Sequence, residues 1–335
     1  MVAASLAALV AAAGIAAGLI RVPYDTVGPG ETYLVNDVIT VEGTQTFPAE
    51  GEVLYATVAV RERVSLLHAI VGLLDPNTDL IAEQRVRGDI PPEQFRQLNI
   101  EAMSDSKTAA ELLALERLGF TDLGVAAVVE SVSEGSPAAA VLRPGDLIVG
   151  IDGQPVRNPS EAVELIRARQ PGQTIVMRVD RSGTVSDVSA TLARAEDDGR
   201  PLLGVRLSTK VELPFDISID SGDVVGPSAG LSYALQLLDV LTPGELTGGA
   251  RVAATGAVSP DGAVGPVGGV AQKVVTVKRA GAELFLVPKE NEAEARRHAG
   301  NLKVVAVSTF EEALAALAGL PGSNASDYAL VGAGQ

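Results

Sequence analysis

The sequence contains no cysteine, which excludes disulfides, thiolate catalysis and cysteine metal sites and leaves no compartment favoured on redox grounds. It has two histidines, His68 and His298, far apart in the chain, so no histidine-based metal site is expected, and no cofactor. Positive charge is scarce: 26 basic against 42 acidic residues give a net charge of -16. Such a surface repels phosphate backbones and excludes nucleic acid as the natural partner. There is also no Gly-x-x-x-x-Gly-Lys-Ser/Thr loop in the chain, hence no nucleotide cradle of that kind.

What is present is apolar. With 335 residues, 47% of them hydrophobic, the chain has material for two or three domains. Val2 to Ile20 carries no charge, and its nineteen residues make a helix of roughly 28 Å, near the thickness of the bilayer hydrocarbon. Residues 1–22 are therefore expected to be a transmembrane anchor or a signal segment, since Ala11-Ala12-Ala13 resembles a processing site. No basic residue precedes the stretch and Arg21 is the first after it, so charge does not encode its orientation. Residues 23–50, punctuated by Pro23, Gly28, Pro29, Gly30 and Gly43, read as an extended stalk. Val53 to Val60 has the β-branched, apolar pattern of a strand buried on both faces. Helices are expected over Val64 to Leu74 and Ala102 to Leu118, the second stopped by Gly119.

Residues 121–196 change character to short strands and turns. Asp152-Gly153 signals a hairpin, and Asn158-Pro159 with Glu161 signals a capped helix start. Gly135-Ser136-Pro137-Ala138, Arg143-Pro144-Gly145-Asp146-Leu147-Ile148 and Gly153 together resemble a PDZ domain. That resemblance implies a groove between strand Val125 to Val132 and helix Ser160 to Arg167, where an extended peptide adds as a strand. The peptide's carboxylate is then expected on the backbone of Leu123, Gly124, Val125 and Ala126.

The chemistry is expected beyond residue 200. In Gly226-Pro227-Ser228-Ala229-Gly230, Pro227 suits the first turn of a helix, so Ser228 sits where free N–H groups and the positive dipole end favour an oxyanion. The flanking glycines admit a substrate backbone. A second segment, Gly265-Pro266-Val267-Gly268-Gly269, opens a helix whose Lys273 shares a face with Val270 and Val277. Desolvation on that face lowers an ammonium pKa and allows the neutral amine to act as a general base for a serine hydroxyl.

These two segments, with Thr255-Gly256, Gly262, Arg279-Ala280-Gly281 and Val287-Pro288, closely resemble the proteolytic domain of the Lon proteases. The resemblance implies Ser228 as nucleophile, Lys273 as base and Thr255 as the hydroxyl that orients the lysine, with Gly226, Pro227 and Ala229 in support. Val225 stands where many Lon enzymes have an acidic residue, which weakens any claim for a third carboxylate there. Met103 to Ala110 and Gly51 to Val60 resemble the helix and strand that open the Lon domain, so the peptidase is expected to be split. Its parts are then residues 51–120 and 197–320, around a PDZ insert at 121–196 and before a flexible tail at 321–335. The expected fold is a mixed α/β (α+β) Lon-type domain with a β-rich PDZ insert and an N-terminal transmembrane helix. The whole resembles the ATPase-less bacterial Lon-like proteases, which implies a single-pass protein of the cell membrane with its domains outside the cytoplasm. Protein or peptide substrates, no nucleotide, and a homo-oligomeric ring are implied with it. Two other readings stay open. Gly226 to Gly230 also fits the Gly-x-Ser-x-Gly of an α/β-hydrolase esterase using His298, and a PDZ adaptor with an inactive peptidase fold needs no chemistry at all.

Overall fold

The computed structural model describes residue 12 and residues 14–120, 123, 126–156, 158–195, 199–210, 213–222 and 224–329. The chain divides into two compact units, one of residues 1–119 and 215–335, the other of residues 120–214.

The first unit is built on a six-stranded sheet. Its strands are β1 (Tyr24–Leu34), β3 (Glu52–Arg61), β4 (Asp79–Ala82), β6 (Arg251–Ala254), β7 (Leu284–Pro288) and β8 (Lys303–Val307), in the spatial order β8-β7-β6-β3-β1-β4. The β3, β6, β7 and β8 strands run parallel, and β1 is antiparallel to both β3 and β4. A separate pair joins β2 (Ile39–Glu42) to β5 (Asp216–Ile219), which ties the N-terminal segment to the segment after residue 215.

The parallel strands bury both faces, as their near-continuous apolar runs require. Val53, Tyr55, Val252, Ala254, Leu284 and Leu286 point into a core with α2 (Pro92–Arg117), α3 (Gly230–Leu241) and α6 (Phe310–Ala318). The alternate residues Leu54, Ala56, Ala253, Phe285 and Val287 face a second core with α4 (Val270–Arg279) and α5 (Glu292–Ala299). The first unit thus has three layers, with helices on both faces of the sheet. A further helix of this unit is α1 (Leu66–Leu74), capped by Ser65, whose side chain accepts from the His68 N–H.

The second unit is a β-rich module ordered Val205–Lys210, Ala126–Val132, Leu147–Ile151, Thr174–Arg181, Thr184–Thr191, with the α-helix Pro159–Arg167 beside it. The Asn158 side chain caps that helix by accepting from the Glu161 N–H at 2.9 Å. Asp152 and Gly153 both take positive φ, +50° and +79°, as a tight hairpin turn demands. Asp146, almost wholly buried, is held by a two-pronged contact with Arg181 at 2.7 Å on each oxygen.

Four boundaries differ from the sequence reading. Residues 23–50 are not a stalk, because Tyr24–Leu34 is an interior strand of the first sheet. Its glycines mark a close strand approach and not a chain reversal: a Cβ on Gly30 would collide with the backbone of Thr57, and the β1–β3 register shifts between Pro29 and Thr32. The α2 helix begins at Pro92, ten residues before the expected start, with a second proline supporting its first turn. The second unit runs to Pro214 and not to residue 196, because Val205–Lys210 completes its sheet. Residues 323–329 are packed and not a flexible tail: Ser323 Oγ donates to the Leu246 carbonyl at 2.7 Å and Ala325 is fully buried.

Residues 14–19 are helical, whereas the start of the uncharged stretch lies outside the described residues. Among the described residues no helix is long and apolar enough to cross a membrane.

Candidate active site

The strand β6 ends at Ala254, and Thr255 and Gly256 follow at its carboxyl end, where open α/β sheets place their ligands. Here the two helical layers meet. Ser228 comes from the start of α3 on one face of the sheet and Lys273 from the first turns of α4 on the other.

Pro227–Ala229 forms a single 3-10 turn that runs directly into α3. Gly226 precedes it at φ +101°, a conformation that a side chain would strain. The turn is pinned from three sides. Ser106 Oγ of α2 donates to the Pro227 carbonyl at 2.9 Å, and the Gly256 N–H and Thr255 Oγ1 both donate to the Ser228 carbonyl at 2.9 Å. A Cβ on Gly230 would collide with Ser106 Oγ and Val258, so this glycine lets α2 cross the start of α3 closely.

Lys273 is placed by its own helix start. Gly269 caps α4 with φ +67°, and a Cβ there would collide with Val58 of β3. The helix therefore begins hard against the sheet, and the Lys273 N–H closes its first turn on the Gly269 carbonyl at 2.9 Å. The side chain reaches the end of β6, where Nζ lies 2.6 Å from Ser228 Oγ and 3.0 Å from Thr255 Oγ1. Lys273 is 2% exposed and Thr255 fully buried, whereas Ser228 is half-buried and open to an incoming chain.

Burial pushes the lysine amine down from 10.5 to about 7. Val225 is exposed and brings no carboxylate to oppose this. The hydroxyl geometry then fixes the direction of the contacts. Thr255 gives its one proton to the Ser228 carbonyl, so it accepts from Lys273, and the lone pair of a neutral amine is left for Ser228 Oγ. The arrangement can take a proton from the serine hydroxyl at neutral pH.

The structure thus brings Ser228, Lys273 and Thr255 together, with Gly226, Pro227 and Ala229 forming the turn that carries the serine. His298 lies on α5, its carbonyl accepting from Lys278 Nζ, so the Ser/His esterase reading gains no support from the geometry. Of the other carboxylates near the serine in sequence, Asp220 accepts from the Gly222 N–H at 3.0 Å, and Asp223 lies outside the described residues.

The expected peptide groove needs correction. Gly124 and Val125 lie outside the described residues, Leu123 is buried, and Ala126 opens a strand paired on both sides, by Leu147–Ile151 and by Val205–Lys210. A peptide cannot add to a strand whose two edges are taken. Among the described residues this sheet ends on two edge strands, Thr184–Thr191 and Val205–Lys210, and the second runs beside helix Pro159–Arg167. Gly204 precedes it at φ +80°, where a Cβ would collide with Ser136. The signal missed in the sequence is Leu202-Leu203-Gly204-Val205-Arg206-Leu207-Ser208, an apolar pair, a glycine and then strand alternation.

Comparison with known proteins agrees with the two units. Residues 215–318 match the Lon protease (S16) C-terminal proteolytic domain, and residues 128–181 match the PDZ domain. Lon protease 2 of Bacillus subtilis (strain 168) is 33% identical over 104 residues, 31% of this chain and 18% of that protein. The Lon protease of Chloroflexus aggregans (strain MD-66 / DSM 9485) is 27% identical over 241 residues, 70% of this chain and 26% of that protein. A PDZ domain structure of the SdrC-like protein from Listeria monocytogenes is 29% identical, with 24% of this chain and 86% of that chain covered and a TM-score of 0.24. The aligned stretch is well under two thirds of each Lon protease. The chain thus carries one segment similar to the proteolytic domain of the Lon proteases, a serine endopeptidase domain, and another similar to a PDZ domain.

Proposed function

We propose that this chain is an ATP-independent, membrane-anchored serine endopeptidase with Ser228 as nucleophile and Lys273 as its general base. The observation that carries the reading is the 2.6 Å separation of Lys273 Nζ and Ser228 Oγ around a buried amine. The neutral amine takes the hydroxyl proton as Oγ attacks the scissile carbonyl. The oxyanion that forms lies at the N-terminal end of α3, where the dipole favours negative charge. The ammonium returns the proton to the leaving amine, and water, deprotonated by the same lysine, then releases the acyl group. Thr255 positions Lys273 and does not exchange the proton itself.

ATP independence is supported by the absence of a phosphate-binding loop in the sequence, and it restricts substrates to flexible or unfolded segments. Anchoring is supported by the uncharged stretch Val2 to Ile20, and placement outside the cytoplasm in a bacterial membrane by the resemblance to anchored Lon-like proteases. The PDZ unit takes an extended peptide or C-terminus as an added strand on Val205–Lys210.

The test is cleavage of casein and of unstructured peptides by the full chain beside Ser228→Ala and Lys273→Ala. Both variants are expected to lose cleavage by about a thousandfold or more while keeping the fold. Wild type that cleaves nothing, or Lys273→Ala that stays fully active, sinks the proposal.

A further inference from the structure

The α1 helix is amphipathic in the wrong sense for a helix packed on a water-soluble domain. Its inward face is made of small residues, Ala69 and Gly72, both buried, with Gly72 close against Thr26 of β1. Its outward face carries the large apolar side chains: Ile70, Val71, Leu73 and Leu74 are 45%, 57%, 70% and 79% exposed. Leu67, Ile70, Val71 and Leu74 fall on one side of the helix by their spacing. From Val64 to Leu74 the sequence carries no Asp, Glu, Lys or Arg. An exposed stripe of this kind marks an interaction surface.

The chain itself indicates what covers it. The uncharged stretch Val2 to Ile20 ends where α1 begins: the Leu66 N–H donates to the Ile20 carbonyl at 2.8 Å, and Arg21 bridges to Ser65. Leu19 and Ile20 are exposed like the face of α1, so the two apolar surfaces start from one point. Arg21 is exposed at that junction, as an interfacial arginine whose stem lies along apolar surface would be.

We propose that α1 is a bilayer-docking helix, lying in the membrane interface with Leu67, Ile70, Val71 and Leu74 in the acyl region. The inference rests on the membrane anchoring of residues 2–20, and it adds that the peptidase unit is held against the bilayer and not tethered at a distance. The docked segment leads straight to the site: Asp79, which opens β4 after α1, accepts from Gln272 Nε2 at 2.9 Å, and Gln272 precedes Lys273 on α4. Lipid contact at α1 thereby orients the edge of the sheet on which the lysine helix rests.

The cysteine-free chain makes the test direct. Leu74→Cys, Ile15→Cys and Lys303→Cys, the last at the opposite edge of the sheet, are each labelled with an environment-sensitive fluorophore in the full chain. Each is reconstituted in vesicles of phosphatidylcholine and phosphatidylglycerol, with and without spin-labelled lipid. The labels at 74 and 15 are expected to brighten severalfold and to be quenched by the spin-labelled lipid, and the label at 303 to do neither. Quenching at 15 with an unquenched label at 74 overturns the docking proposal and leaves the anchor standing. Quenching at neither position overturns both. A label at 74 that brightens with protein concentration and ignores the lipid quencher assigns the face to a second copy of the chain and overturns the proposal as well.

Discussion

Two buried titratable groups in the peptidase unit invite comparison, Lys273 on α4 and Asp239 near the end of α3. Their exposures are 2% and 1%, and burial drives both toward neutrality, the amine down to about 7 and the carboxyl up to about 6. By pKa alone they are equivalent candidates for acid–base work. Their partners separate them. Lys273 meets two hydroxyls, one of them half-exposed at a helix N-terminus, whereas Asp239 accepts at 2.9 Å from the Leu246 N–H and so fixes the loop after α3. A shifted pKa reports desolvation. Chemistry also needs a partner that can exchange a proton and a reacting atom that a substrate can reach.

Lys273→Met breaks the comparison hardest. Cleavage is expected to fall by about a thousandfold or more, because the base is gone. Stability should move the other way. Between pH 7 and 10.5 the unfolded lysine is protonated and the folded one is not, so the unfolded state binds more protons and stability rises with pH through that window. At neutral pH the buried amine therefore opposes folding by several kcal/mol, on the order of 1.4 per pKa unit. Methionine fills the same apolar channel without that penalty, so thermal melts at pH 7 should rise by several degrees. A destabilised variant means that the amine's contacts outweigh its desolvation. In the wild type, kcat/KM should climb roughly tenfold from pH 6 to pH 7.5 as the amine loses its proton, then level off.

Thr255 sharpens the contrast between a group that reacts and one that positions. Removing its hydroxyl with Thr255→Val leaves the Ser228 carbonyl with the Gly256 N–H alone and Lys273 one partner short. An expected loss of about 10- to 100-fold should fall on kcat more than on KM. Thr255→Ser retains both contacts and should recover most of the rate. Equal loss in both variants removes the hydroxyl from the account.

The reacting residues were legible because their chemistry is local. A serine between glycines after a proline, and a lysine on an apolar helix face, each follow from a few neighbouring residues, and the resemblance then paired them. What the sequence concealed was pairing between distant strands. Gly28 and Gly30 read as turns, since a close approach, to Thr78 at the first and to Thr57 at the second, leaves the same residue type as a reversal. By sequence, strand Val205–Lys210 reads as part of the peptidase, because nothing within it says that its partner is Ala126–Val132. That one pairing decides which edge is open to a peptide. The inverted face of α1 was hidden for the same reason, since an apolar helix reads as buried until its neighbours are known.

The smallest effect is expected at Asp239, and it completes the comparison. Between pH 3.8 and about 6 the folded carboxyl holds a proton that the unfolded one has released, so stability falls as pH rises through that window and is level above it. Asp239→Asn keeps an oxygen for the Leu246 N–H and removes the charge. Melts of the variant should lose the slope between pH 4 and 6 and gain about 1–2 kcal/mol at pH 7, with the new amide's unpaired N–H groups limiting the gain. Cleavage should stay within about twofold of wild type, because Asp239 contacts no group that exchanges a proton with the substrate. If this variant folds, yet loses cleavage as Lys273→Met does, then desolvation by itself marked the site, and the distinction between a reacting partner and a fixing partner fails.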